Sequence, residues 1–157
     1  MVVKKRIKFL AGICLIIYLL VLGYVLFFAE YLGRTEHPEG YRYNLTLFSE
    51  IGRFYRVGIQ RHSWSLFLWN VCGNIAVFIP FGIFMPMLFR RCKNIIFTVL
   101  LSFELSLFVE VIQLITHVGI FDVDDILLNT FGGFLGFCIY IICYIVWRIF
   151  TKQRKRK

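Results

Sequence analysis

Apolar residues dominate four stretches of this chain, at 9–29, 66–89, 95–116 and 126–150. Each exceeds the roughly 18–20 residues a helix needs to cross a hydrocarbon layer about 30 Å thick. The pattern predicts four transmembrane helices and an all-α integral membrane protein, a single membrane domain over residues 1–157. Between the first two spans, residues 30–65 form the only sizeable polar segment, and its first part, RTEHPEG, is rich in turn formers. In the second part, YRYNLTLFSEIGRFYRVGIQRHSW, Phe48, Ile51 and Tyr55 fall on one helical face, with Glu50, Arg53 and Arg56 elsewhere. That is the pattern of a short amphipathic segment lying in a membrane interface or of a helix capping the bundle.

Composition agrees with this reading. The chain is 59% hydrophobic and 17% charged, against roughly 45–50% and 25% in a soluble domain. Thirteen of the 18 basic residues lie before the first span, between the second and third, or after the fourth. No acidic residue lies on that side. The positive-inside rule assigns that side to the cytoplasm, so both termini are expected there and the segment 30–65 outside, in a multi-pass protein of the plasma membrane. The net charge of +9 is therefore a topology signal, and no nucleic-acid partner is expected. The tail KQRKRK is placed to meet anionic lipid headgroups. The first span, at about 21 residues, is longer than the apolar part of a signal peptide and lacks a small-x-small cleavage pattern, so an uncleaved anchor is expected. The five cysteines fall in spans or in the cytoplasmic turn, match no metal spacing, and read as small packing residues.

Polar residues inside the spans carry the candidate chemistry, because charges and amides in a bilayer face a partner, a cavity or a substrate. Asn70 and Asn74 share a face of the second span. In the third, Ser102, Ser106, Glu110, Gln113 and His117 form one stripe. Asn129 lies about one turn below the start of the fourth. Asn70, Asn74, Glu110, Gln113 and Asn129 thus converge on one depth in the outer leaflet, either as hydrogen-bonding glue or as the lining of a polar pocket. Asp122, Asp124 and Asp125 open the fourth span. They either cap its free N–H groups or hold a divalent cation or basic ligand group that relieves their repulsion. Pro80 predicts a kink in the second span. Glu104, nearly opposite the polar stripe, is expected to donate to the Ala76 carbonyl that Pro80 frees. Gly132 and Gly136 form a small-xxx-small pair suited to close packing within the chain or, as the minor alternative, to a homodimer.

Several short motifs follow one another along the chain. They are Asn44-Leu45 with Phe48 and Ile51, then Gly73-Asn74 with Phe78-Ile79-Pro80-x-Gly82 and Pro86, and Glu110-x-x-Gln113. The series ends with Phe121-Asp122-Val123-Asp124-Asp125-Ile126, Asn129-Thr130, Gly132-Gly133 and Gly136. These motifs cover residues 44–137, and together they resemble the VanZ-like family of small bacterial membrane proteins. Leu47 stands where the family commonly has proline. The resemblance implies a bacterial cell-envelope protein associated with low-level resistance to glycopeptide antibiotics, typically teicoplanin, and it implies no particular reaction.

Three functions follow as expectations. The first is a non-enzymatic protein binding an envelope lipid or amphiphile, such as a cell-wall precursor lipid or lipoglycopeptide. Its pocket would be Asn70, Asn74, Glu110, Gln113 and Asn129 beside Asp122, Asp124 and Asp125, with residues 41–64 as a lid and no cofactor. The second is an intramembrane metal-assisted hydrolase or transferase, with a divalent cation on Asp122, Asp124 and Asp125 and Glu110 as general base. The third is a proton-coupled carrier using Glu104 and Glu110.

Overall fold

A computed structural model of the chain describes residues 2–25, 41–62 and 64–154. Positions 26–29 of the first expected span, the turn-rich stretch 34–40 and the last three residues of the basic tail lie outside the described residues. In chain order the elements are α1 (Val2–Tyr24), β1 (Tyr43–Asn44), α2 (Ser49–Gln60) and α3 (Ser65–Leu88). A 3-10 turn (Arg91–Lys93), α4 (Ile95–Ile115), β2 (Phe121–Asp122) and α5 (Val123–Arg154) complete the chain. Four helical stretches are long and apolar enough to cross a membrane: Lys5–Tyr24, Ser65–Leu88, Ile95–Ile115 and Val123–Lys152. The last three lie within three residues of the expected spans, and the first begins four residues before its expected start. We call the end carrying β1 and β2 the bridge end, and the end carrying Arg90, Arg91 and Lys93 the basic end.

Association of helices in lipid draws on close packing and hydrogen bonds, since lipid tails are as apolar as the side chains. Both are visible here. α5 packs most extensively on α3 and next on α4. Along the α3–α5 seam, Gly132 faces the carbonyl of Ile75, Gly136 that of Ile79, and Gly82 that of Gly133. A Cβ at any of the three would strike backbone, so only glycine lets the two helices approach this closely. On its other side Gly133 is seated against the Ser102 hydroxyl of α4. The small-xxx-small pair is therefore used within the chain.

α1 is attached more lightly. Only 11% of its most apolar window is buried, against 39% for α5. Pro80 removes the amide that would bond the Ala76 carbonyl, and on the adjacent carbonyl, Val77, the Tyr18 hydroxyl of α1 donates a hydrogen bond of 2.9 Å. The expected bond from Glu104 to Ala76 is not formed, because Glu104 and Ala76 are both exposed on outer surfaces of the bundle. At the basic end, Phe81, Met85 and Cys92 form an apolar cluster with Leu15, Tyr18, Leu101 and Leu105 around it. The Asn94 side chain caps α4 by accepting from the Ile96 amide at 2.9 Å. Of the cysteines, Cys92 is buried and Cys138 half-buried, whereas Cys14, Cys72 and Cys143 face outward. The expectation that all five pack within the protein holds for the first two alone.

Candidate functional site

At the bridge end, residues distant in sequence are drawn together by backbone pairing. α4 ends at Ile115, and His117 takes a left-handed conformation (φ 56°). The His117 ring stacks on Tyr41 with centroids 4.7 Å apart. The turn then folds back, with the Gly119 amide donating to the Gln113 carbonyl at 3.3 Å. Tyr43–Asn44 next pairs in parallel with Phe121–Asp122. This two-residue bridge sets the segment 41–62 over the start of α5.

The three aspartates then divide their work. Asp122 is the N-cap of its own helix, accepting from the Asp124 amide at 2.8 Å. It also takes the Asn44 side-chain amide at 3.2 Å. Asp124 points away from α5 and caps α2: its carboxylate accepts the amides of Phe48 at 2.5 Å, Glu50 at 3.0 Å and Ile51 at 3.3 Å. One fully buried side chain thus satisfies three of the free donors that open α2. Phe48 has φ 63°, a left-handed conformation uncommon for a bulky residue, and the bond from its amide holds it there. Asp125 accepts from the Asn74 amide of α3 in a short hydrogen bond.

The polar stripe of α4 lies under this layer. Ser102, Ser106, Glu110 and Gln113 are all buried. Glu110 accepts the Asp122 amide at 3.0 Å. Lower down, Asn129 donates to the Ser106 hydroxyl at 2.9 Å. Asn70 is half-buried and makes no hydrogen bond among the described residues. The structure thus joins Asn74, Glu110, Asp122, Asp124, Asp125 and Asn129 into adjoining bonded groups. It sets Gln113 under the returning turn at Gly119 and leaves Asn70 apart. His117, the outer member of the stripe, is exposed.

Burial raises the Asp122 carboxyl above the usual carboxylate range, against the opposing hydrogen bonds from the Asp124 amide and Asn44. Glu50 is likewise raised, by burial first, while its ion pair with Arg53 opposes the shift. No buried side-chain polar atom among the described residues lacks a hydrogen-bond partner. Nor do any three His, Cys, Asp or Glu side chains among them gather as a metal site. The repulsion of three adjacent acids is here relieved by amide donors of the same chain.

Asn44 and the amides of residues 48, 50 and 51 were not among the site residues expected from the sequence. A carboxylate two residues into a helix looks local, and nothing in its spacing says that it caps another helix. The grouping of Asn44, Phe48 and Ile51 in one motif was the available signal.

Residues 15–145 match the model of the VanZ/LLP1 family. The chain belongs to the VanZ-like family. A curated relative, Protein VanZ of Enterococcus faecium, is 40% identical over 73 residues, which is 45% of this chain and 44% of the relative. The alignment thus spans less than half of that relative's length. No solved structure matches. With four helices able to cross a membrane, this VanZ-like chain is a multi-pass membrane protein.

The exposed side of the bridge end is aromatic and basic. Tyr41, Tyr43, Leu45, Leu47, Phe48 and Tyr55 are exposed, as are Arg42, Arg53, Arg56 and Arg61. The acids Glu110, Asp122 and Asp124 of the same end are turned inward and buried. Tyr55, Trp64 and Phe67 form an edge-on aromatic trio, with centroids 5.6–6.1 Å apart, that seats α2 on the first turn of α3. From that turn a shallow, open apolar groove of about 480 Å³ runs along α3, lined by residues of that helix alone: Ser65, Leu68, Trp69, Cys72, Gly73 and Ala76. A Cβ on Gly73 would meet nothing within 4 Å.

Proposed function

We propose that the chain is a non-enzymatic cell-membrane protein that binds a lipid-anchored envelope amphiphile in the outer leaflet and contributes to low-level resistance to glycopeptides, teicoplanin above all. The basic end faces the cytoplasm under the positive-inside rule, which sets the bridge end and its exposed aromatic surface at the outer interface. The observation that carries the reading is the apolar groove along α3, which begins where the aromatic trio docks α2. Its apolar lining suits an acyl chain. The exposed arginines of the α2 segment suit an acidic headgroup. In this reading the aspartates are the frame that holds the surface in place, and the site expected between them moves to the face they support. A wall precursor or a lipoglycopeptide both present such a tail and head.

Susceptibility to teicoplanin and vancomycin in a sensitive Gram-positive host tests this, comparing wild type with Gly73→Leu at matched membrane levels. A Cβ at this position meets nothing within 4 Å, so the leucine adds bulk to the groove without a clash at its root. Protection against teicoplanin, whose lipid tail vancomycin lacks, is expected in wild type and is expected to fall in the variant. Equal protection from both proteins would remove the groove from the account.

A further inference from the structure

α4 carries one carboxyl group that no described residue engages. Glu104 is exposed, whereas its neighbours Ser102 and Ser106 are buried in the polar stripe. No hydrogen bond or ion pair joins it to any described residue. It lies nine residues into α4, about 14 Å along a helix that rises 1.5 Å per residue. That is the middle of a hydrocarbon layer about 30 Å thick, beyond reach of either interface. Around it Leu100, Phe103 and Phe108 are 49%, 43% and 62% exposed. A carboxyl facing lipid tails at that depth is among the most costly arrangements in a membrane, and such groups face a partner.

We propose that this face of α4 is the contact between two copies of the chain, with the two Glu104 carboxyls hydrogen-bonded to each other across a twofold axis along the membrane normal. Such an axis brings each residue of one copy to the depth of the same residue in the other, so a group on the axis meets itself. A carboxyl that holds its proton is donor and acceptor at once, and two of them satisfy one another. The chain offers no cation for the task, since its Lys, Arg and His residues all fall outside the middles of its spans. The other face suited to helix pairing, Gly132 with Gly136, is already filled by α3. Among the described residues, the α4 face is left with an ionisable group at mid-span that needs a partner.

Association is measured in liposomes over a range of protein-to-lipid ratios by energy transfer between singly labelled copies. Wild type and Glu104→Gln are expected to pair, since a carboxamide also donates and accepts. Glu104→Leu is expected to weaken pairing about tenfold, the worth of the two interhelical hydrogen bonds that a carboxyl pair makes. A second measurement keeps Glu104 and replaces the five native cysteines with alanine. Leu100→Cys, one turn away on the same face, is expected to form a disulfide with its copy. Ile142→Cys, exposed on α5, is expected to stay reduced. Wild type that remains monomeric at every density, unchanged pairing in Glu104→Leu, or crosslinking of Leu100→Cys to a foreign membrane protein would each overturn the proposal.

Discussion

Where α5 passes α3 in the middle of the bundle, Gly132 and Gly136 lie against the carbonyls of Ile75 and Ile79. A few turns away, at its N-terminus, the same helix meets its neighbours through Asp122, Asp124 and Asp125, which take up amide donors. Side chains are absent from the first contact, and charged side chains make the second. The difference follows the surroundings. In hydrocarbon the gain comes from backbone approach, and a charge there is costly. At the margin of the layer the ends of α2 and α5 expose free N–H groups, and buried carboxylates answer them. The glycine seam fixes how close the helices lie, and the aspartate layer fixes what sits on top of them.

Breaking the seam has the largest expected effect. Gly136→Val places a branched side chain against backbone that has no room to yield, and a loss of about 4 kcal/mol is expected. Unfolding in detergent, followed by circular dichroism, measures it, and a near-wild-type transition would show that the helices can separate cheaply. Breaking the aspartate layer comes next. Asp124→Ala strips the amides of residues 48, 50 and 51 of their shared acceptor, at about 3 kcal/mol. The expected result is regional: hydrogen exchange rises over residues 48–60 while α3–α5 stay protected. Uniform loss of protection would mean that the two regions are a single unit.

Smaller changes sharpen the contrast. Tyr18→Phe removes the hydrogen bond from α1 to the Val77 carbonyl, for about 0.6 kcal/mol, and leaves both regions intact. Protease sensitivity of α1 should increase without a shift in the main unfolding transition. The smallest effect concerns pH. The folded Asp122 carboxyl is raised above its ordinary value, so its contribution is present at low pH and is lost as pH rises through the folded value. Stability of the bridge end should therefore decrease from about pH 4 upward across that window. Asp122→Asn should flatten this slope, and an unchanged slope would assign the titration to another group.

The four long helices were legible because apolar runs of that length have few other uses. The burial of Ser102, Ser106, Glu110 and Gln113 was legible in their spacing, and the close packing of Gly132 and Gly136 in their size. The two-residue bridge was not, since Tyr43 and Phe121 carry no local signal that they will pair. The same holds for Asp124, whose partners lie more than 70 residues earlier. The tie beside Pro80 was assigned to the wrong helix: a tyrosine of α1 sits over that region, where a glutamate of α4 was expected. Each miss concerns a polar group whose partner is set by tertiary approach rather than by spacing.

The span between Phe48 and Asp124, 76 residues, also has a meaning in time. A ribosome adding roughly 5–20 residues per second makes the amides that open α2 some 4–15 s before the carboxylate that will cap them. Until the last helix is threaded into the membrane, the first turn of the amphipathic segment has no cap, and only its aromatic contact with the start of α3 holds it. The final span therefore acts as the keystone of assembly. A chain stopped short of Asp124 would keep its first three spans and never close its outer surface.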